Sequence, residues 1–255
     1  MPESATPTTE LCRHTNEAIF IRNSNLCDDL IGKISFTEMI FYNLMGQRAS
    51  SAQTAVLNAV LVTLMEHGLT PSAIAARMTA LSSPEALQGA VAAGILGVGS
   101  KFIGTIEDSA RLLEEMLGAP EGLEARAIAI VKRHRDARML VPGFGHHLHR
   151  PDDPRTPKLL EVARQNDVAG RYVEALLVLA KAVDAAAKRH ITINATGAIG
   201  AVLSEIGIPL DSIRGIAVIS RAAGLVAHIQ EERERPLARF VWELAEEHVE
   251  HGAGR

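Results

Sequence analysis

Cysteine is nearly absent. Cys12 and Cys27 are the only two in 255 residues, and both lie near the start. That excludes a disulfide framework and points to a reducing compartment. Aromatic residues make up 4%, with one tryptophan and two tyrosines, and alternating β-branched runs are scarce, which argues against a β-rich fold. No run of 18 apolar residues occurs. The most apolar stretches, 56–65 and 216–229, are too short or carry Arg221, so no membrane span is expected. The opening MPESATPTTE has neither a basic nor an apolar region of the kind a secretory signal needs. Positive charge is not in excess either. A net charge of -4 argues against non-specific binding to nucleic acid, which needs a basic footprint. A cytoplasmic, soluble chain is the expectation.

What is present is a helical, globular composition. Apolar residues reach 47% and charged residues 22%, enough to bury a core without metals or disulfides. Helix signals recur along the chain. Ser35 and Glu38 have capping-box spacing. Thr70-Pro71, Ser83-Pro84 and Thr156-Pro157 each place an N-cap residue before a proline suited to a first helical position. Gly68, Gly118 and Gly207 sit where helices would stop in a left-handed residue. These signals predict helices near 37–46, 51–67, 71–81, 84–98, 103–117, 122–134, 157–166, 168–188, 196–206, 212–230 and 236–250. The one strand-like piece is 18–22, followed by turn residues Asn23-Ser24-Asn25, and it reads as an arm of a short N-terminal β-hairpin. The fold class is all-α. No internal repeat or Gly/Ser linker divides the chain, so a flexible N-terminus (1–16) and a single domain over 17–250 are expected.

One long irregular stretch, 141–157, stands out, and structureless loops of that length inside a helical domain usually carry function. It holds Gly143-Phe144-Gly145-His146-His147-Leu148-His149-Arg150-Pro151-Asp152-Asp153-Pro154-Arg155. The H-H-x-H spacing suits tetrahedral zinc poorly and no cysteine completes it, so no metal site is expected. Small residues beside a histidine let backbone approach a ligand closely.

Gly143-Phe144-Gly145-His146 followed by Asp153-Pro154-Arg155 resembles a signature of the citrate synthase superfamily. Four further segments in matching order carry the same resemblance. They are Glu66-His67-Gly68-Leu69 with Ser72 and Arg77, then Asn194-Ala195-Thr196-Gly197-Ala198-Ile199 with Gly207-Ile208-Pro209. After these come Arg221-Ala222-Ala223-Gly224-Leu225-Val226-Ala227-His228, and Arg235-Pro236. Together they span about 17–245, and the short length is similar to the citryl-CoA lyase branch, including the C-terminal module of ATP citrate lyase.

The resemblance implies an all-α, two-lobed subunit with a smaller inserted lobe, working as a homodimer on an acyl-CoA and a di- or tricarboxylate. Coenzyme A would enter as a thioester substrate, with no permanently bound cofactor. It implies that His146 hydrogen-bonds the oxygen of the oxo-acid unit, and that His67 binds the substrate. Arg155, Arg221 and Arg235 would clamp carboxylates, Arg235 across the dimer. Guanidinium forks suit that task because they make bidentate, always-charged contacts. Val141, Gly143, Phe144 and Gly145 would cradle the adenine, and Lys101, Arg150, Lys158 or Arg164 would meet the phosphates.

Two departures qualify the expected chemistry. Phe102 occupies the place of a histidine that hydrogen-bonds the thioester carbonyl in synthases, as it does in the ATP citrate lyase module. Thr196 occupies the place of the family's aspartate, and a threonine hydroxyl is no base at neutral pH. Glu66, Asp152, Asp153 and His147 are the other proton acceptors on the motif segments. Carbon–carbon cleavage or condensation between acetyl-CoA and oxaloacetate is therefore the first expectation. A related acyl-CoA chemistry using another base, or a non-catalytic binder of CoA esters or carboxylates, is the alternative.

Overall fold

The computed structural model describes residues 7–101, 103–249 and 252. Phe102, the expected counterpart of the thioester histidine, lies outside the described residues. The chain opens with a small antiparallel sheet, β1 (Cys12–His14), β2 (Ile19–Ile21) and β3 (Ser24–Asn25), in the order β1-β2-β3. A π-helical turn, Leu26–Leu30, follows. Then come α1 (Phe36–Met45), α2 (Ser51–Met65), α3 (Pro71–Ser82), α4 (Leu87–Leu96), α5 (Thr105–Leu117) and α6 (Leu123–Asp136). The remainder is α7 (Arg155–Gln165), α8 (Arg171–Ala187), α9 (Ala195–Glu205), α10 (Leu210–Glu234) and α11 (Ala238–His248).

Local chemistry explains most of these boundaries. Ser35 Oγ accepts from the Glu38 amide while the Glu38 carboxylate accepts from the Ser35 amide, which closes the expected capping box of α1. Thr70 caps α3 with Pro71 in its first turn. Other expectations need correction. Ser83-Pro84 does not start α4. The Ser83 amide donates to Thr79 O and so finishes α3, and α4 begins only at Leu87. Thr156-Pro157 does not start α7, which begins at Arg155; the Thr156 hydroxyl instead donates to Ile193 O at 2.7 Å. Gly118 ends α5 in right-handed geometry, and α2 stops at Met65 rather than 67. The expected hairpin is a three-stranded sheet, and β1 falls inside the 1–16 stretch expected to be flexible.

α9 is the central helix. Every residue from Gly197 to Leu203 is buried, with Gly and Ala letting α5, α7 and α8 approach it. Fully burying each Leu, Ile or Val stabilises by about 1.5–3 kcal/mol. A second, smaller apolar cluster joins Ala76 of α3, Ala90 of α4, and Leu225 and Ile229 of α10. α10 spans both clusters, since Ile213, Ile216 and Ala217 belong to the first. Among the described residues α10 is long and apolar enough to cross a membrane, against expectation, but half of that apolar window is buried against neighbours, as in a core helix.

Candidate active site

The ends of α2 and α8, the starts of α3, α5 and α9, the middle of α10 at Arg221 and the 137–155 loop surround an open cleft of about 1820 Å³. The loop is pinned by the segment that leads into α9. Gly145 N donates to Thr192 O at 2.8 Å, Asn194 N to Gly143 O at 3.0 Å, and Asn194 Nδ2 to Gly145 O at 2.8 Å. Gly143 has φ +88°, and a Cβ there would lie 2.9 Å from Gly197 Cα and 2.7 Å from Ser109 Oγ. Only glycine meets both constraints. The same bonds occupy Gly143 O, Gly145 N and Gly145 O, and Phe144 N donates to Val141 O. The backbone groups expected to read a base edge are thus largely spent on holding the loop.

Asp153 anchors the loop's other end. It is fully buried, accepts from the Ala195 amide at 2.9 Å, and receives Arg155 Nε and Nη2 at 2.9 and 2.7 Å. Burial raises its pKa, but the Arg155 bonds and two backbone amides outweigh this and bring it down to about 2. Arg155 is thereby held as an oriented fork facing the cleft.

His146 lies next to Arg155. Its Nδ1 accepts from the Leu148 and His149 amides at 3.1 and 3.0 Å. A neutral ring that accepts at Nδ1 carries its proton on Nε2. Nε2 sits 3.4 Å from Arg155 Nη2, so two donors converge with no protein acceptor between them. Such a point receives an oxygen, carboxylate or carbonyl. His67 and His149 complete the group, with ring centroids 5.9 and 4.4 Å from that of His146. Ring nitrogens of His67, His146 and His149 all lie within 4.8 Å of one another. A metal-bound His146 would need its other nitrogen to donate, whereas Nδ1 accepts two amides. The cluster therefore fits an anion better than a cation. Burial, first, and then the neighbouring cations and imidazoles push the His67 and His146 pKa values down, while Asp153 partly offsets this at His146.

Arg221 enters from α10 with 4% exposure. Its Nε and Nη1 have no hydrogen-bond partner, and Glu66 Oε1 stands 3.6 Å from Nη1. Burial pushes the guanidinium pKa down and Glu66 partly restores it. A chain behind the site fixes Glu66. Arg77 Nε donates to His228 Nδ1 at 3.0 Å, and His228 Nε2 stands 2.7 Å from Glu66 Oε2 at ion-pair distance. Glu66 Oε1 also accepts from the His67 and Gly68 amides, which turns the chain after α2 and aims His67.

The expected residues divide as follows. His67, His146, Arg155, Arg221, Thr196, Val141, Gly143, Phe144 and Gly145 line one cleft, with Lys101 and Arg150. Lys158 and Arg164 do not; Lys158 pairs with Glu161, and Arg164 bonds Leu160 O. Arg235 is exposed at the end of α10 and does not line this cleft. Thr196 Oγ1 donates to Asn194 Oδ1 at 2.7 Å and lies 3.1 Å from Thr105 Oγ1. Among the described lining residues Asp108 is the lone carboxylate. The cations Arg135, Arg138 and Arg189 also line the cleft and escaped the sequence reading; the basic run 133–138 at the end of α6 was the available signal.

Residues 13–240 match the family described as citrate synthase, C-terminal domain, and the chain belongs to that family. Its structure is similar to that of citryl-CoA lyase from Hydrogenobacter thermophilus, with a TM-score of 0.86 and 31% identity over 97% of this chain and 95% of that one. In sequence it is 28% identical to a Synechocystis citrate synthase over 78% of this chain and 50% of that protein. It is 24% identical to ATP-citrate synthase beta chain protein 1 of Arabidopsis thaliana over 74% of this chain. The chain spans a third to a half of the length of these curated relatives.

Proposed function

We propose that this protein is a citryl-CoA lyase-like enzyme, making or breaking the carbon–carbon bond between an acyl-CoA, acetyl-CoA first, and a 2-oxo acid such as oxaloacetate. The observation that carries the reading is the buried Arg221, whose Nε and Nη1 lack partners beside the donor pair of His146 and Arg155. A buried guanidinium with two nitrogens lacking hydrogen bonds, and only the 3.6 Å ion pair to Glu66, is costly, and a carboxylate ligand relieves that cost. Arg155, Arg221 and His67 would hold the carboxylates, and His146 Nε2–H would stabilise the oxygen that gains charge. Lys101, Arg135, Arg138, Arg150 and Arg189 around the cleft suit the phosphates of coenzyme A. The test is oxaloacetate release from citryl-CoA in a coupled assay, alongside calorimetric binding of coenzyme A and citrate. Turnover supports the lyase.

The second reading is a binder without turnover, and one observation favours it: the Thr196 hydroxyl is engaged by Asn194 and no carboxylate stands there. Tight binding with no product would select it. The working unit in our reading is a homodimer. Arg235 is exposed and does not line its own cleft, and α11 exposes Phe240 and Trp242, surfaces that a second copy would cover. Light scattering and an Arg235→Ala variant test this; a monomer with full activity contradicts it.

A further inference from the structure

We propose that His149 is the proton acceptor of this cleft, in place of the carboxylate missing at Thr196. The inference rests on the lyase reading and goes beyond it by assigning the group that moves the proton.

Comparison of the groups in and around the cleft leads there. His147 also lines the cleft, but it is exposed and lies outside the cluster of three ring nitrogens, and His67 is assigned to the carboxylates. His146 is committed as a donor, because two backbone amides occupy its Nδ1. Asp153 is buried behind Arg155, and its oxygens are taken by Arg155 and Ala195. Glu66 is held by the His67 and Gly68 amides and by His228, and it does not line the cleft. Asp152 is exposed and pairs with His190. Asp108 lines the cleft from α5, one turn beyond Thr105, but it is exposed and lies outside the imidazole cluster. His149 is half-buried and lines the cleft, and its ring stacks on His146 at 4.4 Å and meets His67 edge-on at 6.0 Å. Among the described residues no hydrogen bond occupies a nitrogen of its ring. Its nitrogen shares the space within 4.8 Å of the His67 and His146 nitrogens, where the Nε2–H of His146 and Arg155 would grip an oxygen.

The charged and titratable groups that share its cleft are His67 from the turn after α2, His146, His147 and Arg150 from its own loop, Arg155 from α7 and Arg221 from α10, with Lys101, Asp108, Arg135, Arg138, Arg189 and His190 around the rest of the lining. A neutral imidazole offers a lone pair that accepts a proton. In cleavage the hydroxyl proton of the citryl thioester passes to the His149 ring. The O–H pair becomes the second bond of the new carbonyl, and the C–C pair moves onto the thioester as an enolate. Water from the open cleft protonates that enolate, and the resulting hydroxide takes the proton from His149. The products are the oxo acid and the acyl-CoA.

The experiment compares wild type and His149→Gln for citryl-CoA cleavage across pH 5–9, with calorimetric binding of citrate and a folding check by circular dichroism. A general base contributes on the order of 10²–10⁴-fold. His149→Gln is expected to lose at least the lower figure in kcat, with KM and citrate affinity nearly unchanged. The acidic limb of the kcat profile should vanish, and added imidazole should restore part of the rate. Retained kcat with an intact acidic limb overturns the assignment. Parallel loss of citrate binding also overturns it and makes His149 a binding group. A wild type that binds citryl-CoA but releases no oxaloacetate overturns the lyase reading itself, and this assignment with it.

Discussion

At the scale of single residues the site is a set of charges held under tension by the fold. Arg221 shows it best, being buried yet underpaired. Replacing a buried, poorly compensated charge by an apolar side chain of similar length is often neutral or stabilising. Arg221→Met should therefore keep or raise Tm while abolishing citrate binding; a large fall in Tm would mark a structural ion pair. His67 and His146 have pKa values pushed down by burial and by neighbouring cations. A bound polycarboxylate supplies the opposite charge and raises them. Citrate binding should thus take up protons, read as a dependence of calorimetric enthalpy on buffer ionisation heat. Asp153 behaves in the reverse sense. Its folded pKa of about 2 lies below the ordinary 3.8, so it stabilises above about pH 4, and that contribution is lost as pH falls towards 2. The difference is worth about 2 kcal/mol, and Asp153→Asn should flatten that part of the acid unfolding curve. Residues inside motif segments, such as His67 and Arg155, were legible from sequence. His149 and Arg189 take their meaning from neighbours remote in the chain, which one-dimensional spacing does not encode.

Among the elements, helices were legible wherever a cap and an apolar period agreed, as at α1 and α3. The misplaced starts of α4 and α7 share a cause. A Ser-Pro or Thr-Pro pair signals a local start, and another partner claimed the Ser or Thr instead: the preceding helix's own Thr79 O at Ser83, and the remote Ile193 O at Thr156. The contact of α2 with α10 had no sequence signal beyond Gly224. A Cβ there would come within 2.1 Å of Met65 O, and Ser220 Oγ bonds Leu61 O one turn away. Because Glu66 and His67 directly follow α2, Gly224→Ala should lever the clamp as well as strain the packing. Overpacking of this kind costs about 1–3 kcal/mol. The expected outcome is a lower Tm together with weaker citrate binding, whereas unchanged values would show that the two helices separate freely.

For the whole molecule, the negative net charge hides a cleft of opposite sign. Lys101, Arg135, Arg138, Arg150, Arg155, Arg189 and Arg221 face one space with a single described carboxylate. Whole-chain charge arithmetic could not reveal that, because the acidic residues lie elsewhere on the fold. The exposed part of this field is screened by salt, so coenzyme A affinity should fall as sodium chloride rises from 0.05 to 0.5 M. Binding dominated by apolar contact would be indifferent to salt. The most direct test of the account is a crystal structure of the protein with citrate and coenzyme A bound. The account predicts citrate carboxylates within hydrogen-bond distance of Arg155, Arg221 and His67, and its hydroxyl between His146 Nε2 and the His149 ring. Citrate bound elsewhere, with Arg221 Nε and Nη1 still lacking hydrogen bonds, would contradict it.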